Sequence, residues 1–149
     1  MKISGTQVLA VPQKRAYQLL QDPDVLARCM PGCEALIRTS ENEYQMKMKM
    51  ALASFSGLFD GTVKIVEPNP PSSFRLIVEG KGKIGFMKGD GRLKLTPEGA
   101  GTQVTYEGDV QVGGTLAAVG QRLIDTTAKM MIKRFFDKLA ENSATATGA

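Results

Sequence analysis

Cys29 and Cys33 are the only thiols in the chain, and it contains no histidine to pair with them. A reactive cysteine needs a lowered thiol pKa, commonly from a helix N-terminus or an adjacent cation. These two flank Pro31-Gly32, at and beyond the expected end of a short helix, so they read as reduced structural thiols. Without histidine they cannot complete a four-ligand zinc site. No D-x-D-x-D-G run suggests a hard cation. General acid–base work would fall to Asp60, Glu79, Asp90 or Glu107, but only desolvation or pairing would tune them, and the sequence shows neither. The Gly-x-Gly pairs near Lys81 and Lys88 lie inside expected strands rather than before a helix, which removes a phosphate-cradle reading. The expectation is therefore no catalytic residue, no metal ligand and no intrinsic cofactor.

What remains is apolar spacing, and the elements follow from it. Ile3 to Val11 alternates as a strand, and Pro12 suits the first position of a short helix carrying Ala16, Leu19 and Leu20. Asp22-Pro23 starts a second short helix with Val25 and Leu26, stopped before Pro31-Gly32. From Glu34 the period becomes two. Tyr44, Met46, Met48, Met50 and Leu52 share one face, with Gln45, Lys47 and Lys49 opposite. Phe59, Gly61, Val63 and Ile65 repeat the pattern, then Phe74, Leu76 and Val78, then Leu93 and Leu95, then Val104, Tyr106, Val110 and Val112. Turns at Pro68 to Pro71 and Pro97 to Gly101 are too short for parallel crossovers, so the strands form an antiparallel meander. Gly113-Gly114 breaks the last strand, and Leu116 to Leu139 has a helical period, with Leu116, Gly120, Leu123, Thr127 and Met131 along one stripe.

The predicted architecture is α+β. A curved seven-stranded antiparallel sheet wraps around a long C-terminal helix, and two short helices follow the first strand. Residues 1–141 form one domain and 142–149 a flexible tail. No stretch approaches the roughly 18 uncharged apolar residues of a membrane-spanning helix. The N-terminal segment alternates too soon for a signal peptide, which predicts a cytoplasmic protein. The net charge of +4 favours a partner of negative potential, such as anionic lipid headgroups or an acidic protein face, and equally suits a solvated surface. Nucleic acid is disfavoured, because the lysines are scattered with few aromatics between them.

Three stretches then carry a resemblance. Asp22-Pro23-Asp24-Val25-Leu26-Ala27-Arg28-Cys29-Met30-Pro31-Gly32-Cys33-Glu34 resembles the D-P-x-x-L-x-x-C-x-P-G-C-E signature of the carbon monoxide dehydrogenase G-subunit family. Gly80 to Gly89 is similar to that family's G-K-G-x-x-G-F-x-K-G, and Val112 to Ile124 to its V-G-G-x-L-A-x-x-G-x-R-L-I helix. The resemblance implies the START-like, helix-grip fold (the SRPBCC superfamily), whose members hold lipids, polyketides or other apolar molecules. It also implies work beside a molybdenum-containing carbon monoxide dehydrogenase or related hydroxylase. That work would dock the enzyme at the cytoplasmic membrane and give its electrons access to quinone.

The candidate binding set is the inward row Met46, Met48, Met50, Phe59, Val78 and Leu93, completed by Tyr106, Leu116, Gly120, Leu123 and Thr127. Thioethers adapt to irregular ligands, but the same residues could simply pack the core. Tyr106 and Thr127 are the polar groups able to meet a quinone or lipid carbonyl there. Lys81, Lys83, Lys88, Arg92 and Lys94, with a Gly85-Phe86 tip between them, form a candidate partner or membrane surface. A ligand gate, or a structural hairpin with Phe86 tucked inward, fits the same residues. The leading reading is a non-enzymatic carrier of a lipid- or quinone-like molecule. The alternatives are an adaptor or assembly factor with no ligand, and a small cyclase or hydrolase of the wider superfamily.

Overall fold

The computed structural model describes residues 1–52 and 55–148, with side chains described outside 50–56 and 142–148. In chain order the elements are β1 (Lys2–Leu9), α1 (Gln13–Leu19), α2 (Pro23–Cys29), β2 (Cys33–Ser40), β3 (Glu43–Leu52) and β4 (Phe55–Asn69). Then come β5 (Ser73–Gly82), β6 (Gly85–Glu98), β7 (Gly101–Gly113), a 3-10 turn (Gly114–Val119) and α3 (Gln121–Gly148). The sheet has seven strands in the order β1-β7-β6-β5-β4-β3-β2, every neighbouring pair antiparallel. The meander and the two short helices after β1 agree with the sequence reading.

The second short helix begins where the chain supplies a partner for its free N–H groups. Asp22 caps α2, its carboxylate accepting from Asp24 N at 3.0 Å and Val25 N at 3.4 Å, with Pro23 at the first position. After α2 the chain turns at Gly32, whose φ of 79° suits glycine. A Cβ there would collide with the Lys49 carbonyl, and Lys49 N donates to Gly32 O at 2.8 Å, so the turn is sewn to β3. α1 seals one end of the sheet. Its Tyr17 hydroxyl donates to Ser73 O at 3.2 Å, and the ring meets Phe74 edge-on at 5.5 Å. Buried Thr102 donates to Val11 O at 2.8 Å behind it.

α3 packs on α2 and crosses β1. Phe136 and Leu139 are buried, and Phe136 stacks on Tyr106 at 5.9 Å. The long helix differs from expectation at its start. It does not start at Leu116: a 3-10 turn comes first, and Gly120, at φ 96°, breaks it from α3. The chain must swing from the strand direction of β7 to the helix axis, and glycines at 114 and 120 take the positive φ values that this needs. At its other end the helical backbone runs to Gly148. The hairpin also differs. Gly85 and Phe86 are not its tip but the start of β6, with Phe86 paired directly to Lys81.

Candidate functional site

Cross-strand register settles which side chains share the inner face. Val63, Val78, Gly89 and Val110 stand in one row, and Ile65, Leu76, Gly91 and Gly108 in the next. Met46, Gly61, Gly80, Met87 and Val112 form a third row, nearer the hairpin that joins β5 to β6. Burial along these rows is uneven. Met46, Met48, Phe59 and Val63 on β3 and β4 are at most 6% exposed, and so are Phe74, Leu95 and Val104 toward α1. Leu76, Val78, Met87, Leu93, Tyr106, Val110 and Val112 on β5–β7 are only half-buried. Opposite them Leu123, Ile124, Thr127 and Met131 on the first half of α3 are half-buried as well. Leu76, Val78, Leu93, Tyr106 and Val112 of the sheet and Leu123, Ile124 and Met131 of α3 thus pack at the edge of the buried core and border a hollow that is only half-closed.

The glycines of the inner face fall into two groups. A Cβ at Gly61 or Gly82 would collide with a carbonyl of the neighbouring strand, and one at Gly108 would lie 3.0 Å from Asp90 O. These positions let adjacent strands coil tightly. A Cβ at Gly80 would meet nothing nearer than Phe59 at 3.9 Å, and one at Gly89 nothing nearer than Val78 and Val110 at 4.0 Å. At Gly91 the nearest atom is 3.5 Å away. A Cβ at Gly80, Gly89 or Gly91 would therefore make only ordinary van der Waals contacts, so these glycines floor the region without a tight contact.

Of the predicted cavity residues, Val78, Leu93, Tyr106, Leu123 and Thr127 come together around this hollow. Met46, Met48 and Phe59 belong to the sealed core, and Leu116 is buried, its N–H donating to Ile84 O at 2.5 Å. Gly120 is exposed at the joint before α3 and does not lie on the inward stripe, because the helix begins after it. The side chain of Met50 lies outside the described residues. The Tyr106 ring lies over Gly5, where a Cβ would collide with it, and beneath Phe136. Among the described residues no group hydrogen-bonds its hydroxyl. Sequence reasoning points to Gly80, Gly89 and Gly91 as side-chain-free positions where a ligand can approach the backbone, but misses Met87, because glycine in the inward slots erases hydropathic alternation from Phe86 to Gly91. The signal is still legible: Met87, Gly89, Gly91 and Leu93 are two apart.

The residues that could do chemistry sit elsewhere. Asp60, Glu79, Asp90 and Glu107 are exposed on the outer face. Asp90 is held below the usual carboxylate range by its hydrogen bonds from Arg75. Cys29 is buried at the end of α2, and burial pushes the Cys33 thiol up, away from thiolate. Two depressions lie away from the hollow. One, of about 580 Å³, runs between residues 27–33 and Arg134, Asp137, Lys138 and Glu141. The other, of about 330 Å³, is an outer-face trough by Ala35, Ile37, Lys47 and Asp60. Among the described residues no helix is long and apolar enough to cross a membrane.

The predicted surface residues are all exposed on the outer side, but they do not form one patch. Lys81, Lys83, Phe86 and Lys88 lie at the β5–β6 hairpin. Arg92 is drawn to Glu67 at 4.0 Å, and Lys94 pairs with Ser73 near the opposite end of the strand.

This geometry can be set beside known proteins. The family model for CoxG, the G subunit of carbon monoxide dehydrogenase, matches residues 5–144. The chain belongs to that family. A conserved protein from Geobacillus kaustophilus is similar to it, at 31% identity and a TM-score of 0.93, over 98% of this chain and 97% of that one. A START superfamily protein from Mycobacterium smegmatis shares the fold at a TM-score of 0.76 and 14% identity, over 97% and 98% of the two chains. No curated protein matches the sequence significantly. The chain is thus a CoxG-family member with a START-like fold.

Proposed function

We propose that this CoxG-family protein is a non-enzymatic carrier of a lipid- or quinone-like molecule, held between the first half of α3 and strands β5–β7. One observation carries the reading. Apolar side chains on both walls stay half-buried over Gly80, Gly89 and Gly91, where added side-chain atoms would find room. Leaving such surface wet forfeits about 25 cal/mol per Å², so a binding role gives the sequence a reason to keep it open. Tyr106 and Thr127 supply hydroxyls on those walls for an oxygen of the guest. Family membership supports a molybdenum-containing carbon monoxide dehydrogenase or related hydroxylase as the client, with the carrier peripheral to the cytoplasmic membrane and serving quinone access.

Native mass spectrometry of gently purified protein, followed by solvent extraction, tests the reading. A bound apolar molecule, or saturable one-to-one uptake of a prenylated quinone or fatty acid, is the expected result. Protein that takes up neither from detergent-free solution refutes it. The ligand-free adaptor has one observation in its favour, the tight packing of Met46, Met48 and Phe59. It predicts client binding that is indifferent to any change in the hollow.

A further inference from the structure

β2 is one of the two edges of the sheet, and β3 is its one neighbour, so its other side presents N–H and C=O groups to no strand. Between two register irregularities, Ala35 to Arg38 runs in regular register and carries neither lysine nor proline, the residues that commonly blunt an edge. The other edge, β1, differs: α3 crosses it, and Lys2 is its only charged side chain. Glu34 and Arg38 of β2 are exposed, and neither makes an ion pair with a described residue. Arg38 is held in place. It donates to the Tyr44 hydroxyl at 3.2 Å, its guanidinium lies over that ring at 5.5 Å, and further N–H groups remain for a carboxylate. On the outer face Ile37 is 61% exposed, and small Ala35 lines the trough of about 330 Å³ beside it.

We propose that two copies of this chain join edge to edge through β2, antiparallel about a two-fold axis at Leu36. That register sets Glu34 of each copy opposite Arg38 of the other, and Ala35 opposite Ile37. Strands at the usual spacing of about 4.8 Å bring both pairs into side-chain contact. Each Ile37 leans toward the trough that the other copy's Ala35 leaves open, so large meets small on both sides of the axis. The pleat permits register shifts of two residues only, because a one-residue slip would set outer side chains opposite inner ones. With the axis at Ala35, Glu34 would face Leu36 and Arg38 would face Gly32; with the axis at Ile37, Glu34 would face Ser40 and Arg38 would face Leu36. The axis at Leu36 pairs acid with base twice over, as an isologous contact requires. It joins the two sheets into one continuous sheet and uses no residue of the hollow, so it is independent of the carrier reading.

Analytical ultracentrifugation of the whole chain over a hundredfold range of concentration tests the pairing. The expected result is a monomer–dimer equilibrium that weakens as salt rises, since the contact is small and carries two exposed ion pairs. Glu34→Arg and Arg38→Glu each set like charges opposite one another at both pairs, so each alone should dimerise at least tenfold more weakly than the parent. Mixed in equal amounts, the two variants restore both pairs, and a heterodimer should form within threefold of the parent's affinity. Net charge cannot produce that rescue, because one variant gains two charges and the other loses two. Ile37→Lys should also weaken the dimer at least tenfold, and circular dichroism checks that each variant is folded. Should Arg38→Glu fail to fold without its Tyr44 contact, Glu34→Arg and Ile37→Lys carry the test between them. A parent chain that stays monomeric, a folded Glu34→Arg or Ile37→Lys protein that dimerises like the parent, or a mixture of folded variants that does not pair overturns the proposal.

Discussion

Gly89→Val would put three carbon atoms into the space over β6. A Cβ there meets only Val78 and Val110, both at 4.0 Å, and Gly89 has no positive φ that a side chain would strain. Valine suits a strand and restricts the unfolded chain, so folding should gain about 0.5–1 kcal/mol. The ligand should lose as much room as valine takes. Three carbons' worth of displaced apolar contact, at about 0.8 kcal/mol each, comes to about 2.4 kcal/mol, or about fiftyfold in Kd. Urea unfolding and titration with a fluorescent fatty acid or prenylated quinone measure the two effects. Gly61→Ala is the counterpart, because its Cβ would collide with the Glu79 carbonyl. It should cost about 1–3 kcal/mol although it adds a smaller group. A Gly89→Val protein that binds ligand within twofold of the parent refutes the placement of the guest. One that is destabilised by about 2 kcal/mol or more shows the space is already filled.

Three further expectations follow from contacts elsewhere in the fold. Gly32→Ala combines a φ of 79° with a collision at the Lys49 carbonyl, and should destabilise by about 2 kcal/mol or more in urea unfolding. The Tyr44 hydroxyl donates to Gln21 O at 3.1 Å and accepts from Arg38 at 3.2 Å in a buried site, so Tyr44→Phe should cost about 1–3 kcal/mol by the same assay. A cost under about 0.5 kcal/mol would mean that water replaces the phenol. Asp90 has a carboxyl lowered by the hydrogen bonds from Arg75, so its stabilisation is present above the unfolded carboxylate pKa and fades as pH falls through the folded one. Asp90→Asn should flatten that acid-side part of a Tm–pH curve, and an unchanged curve would refute the assignment.

The meander was legible because alternation from Tyr44 to Met48 and from Phe74 to Val78 admits one register only, with the apolar set inward. The α2 start was legible from Asp22-Pro23, which supplies both cap and first residue. The division of the inner face into sealed and open halves was not. Met46 and Val78 read alike in sequence, and only the covering element separates them. The second half of α3 buries Phe136 and Leu139, while Leu123 and Thr127 on the first half stay half-buried. The α3 start was hidden because Leu116 and Leu123 keep a helical spacing across a break that Gly120 makes at φ 96°. On the surface, Arg92 and Lys94 look continuous with Lys88 in sequence. Strand geometry carries them about 3.3 Å further per residue, into the half where Glu67 and Arg75 reside.

The stretches that carry the family resemblance do mostly structural work around the hollow. Pro31-Gly32 fastens α2 to β3 through Lys49. Gly85 packs against Gly113 and Gly114, where side chains on Gly85 or Gly114 would collide with facing backbone, so the β5–β6 hairpin is clasped to the turn that leads into α3. Gly80 and Gly89, in the same stretch as Gly85, leave the floor bare. These motifs therefore specify a frame, a joint and a floor. Several walls fall between them: Leu76, Val78, Leu93, Val110, Thr127 and Met131. On the proposed reading those side chains would touch the guest, and none of them sets the turn or the clasp. Family membership thus predicts the container better than its contents. Exchanging wall residues between this chain and its Geobacillus kaustophilus relative should move ligand preference while leaving the unfolding midpoint nearly unchanged.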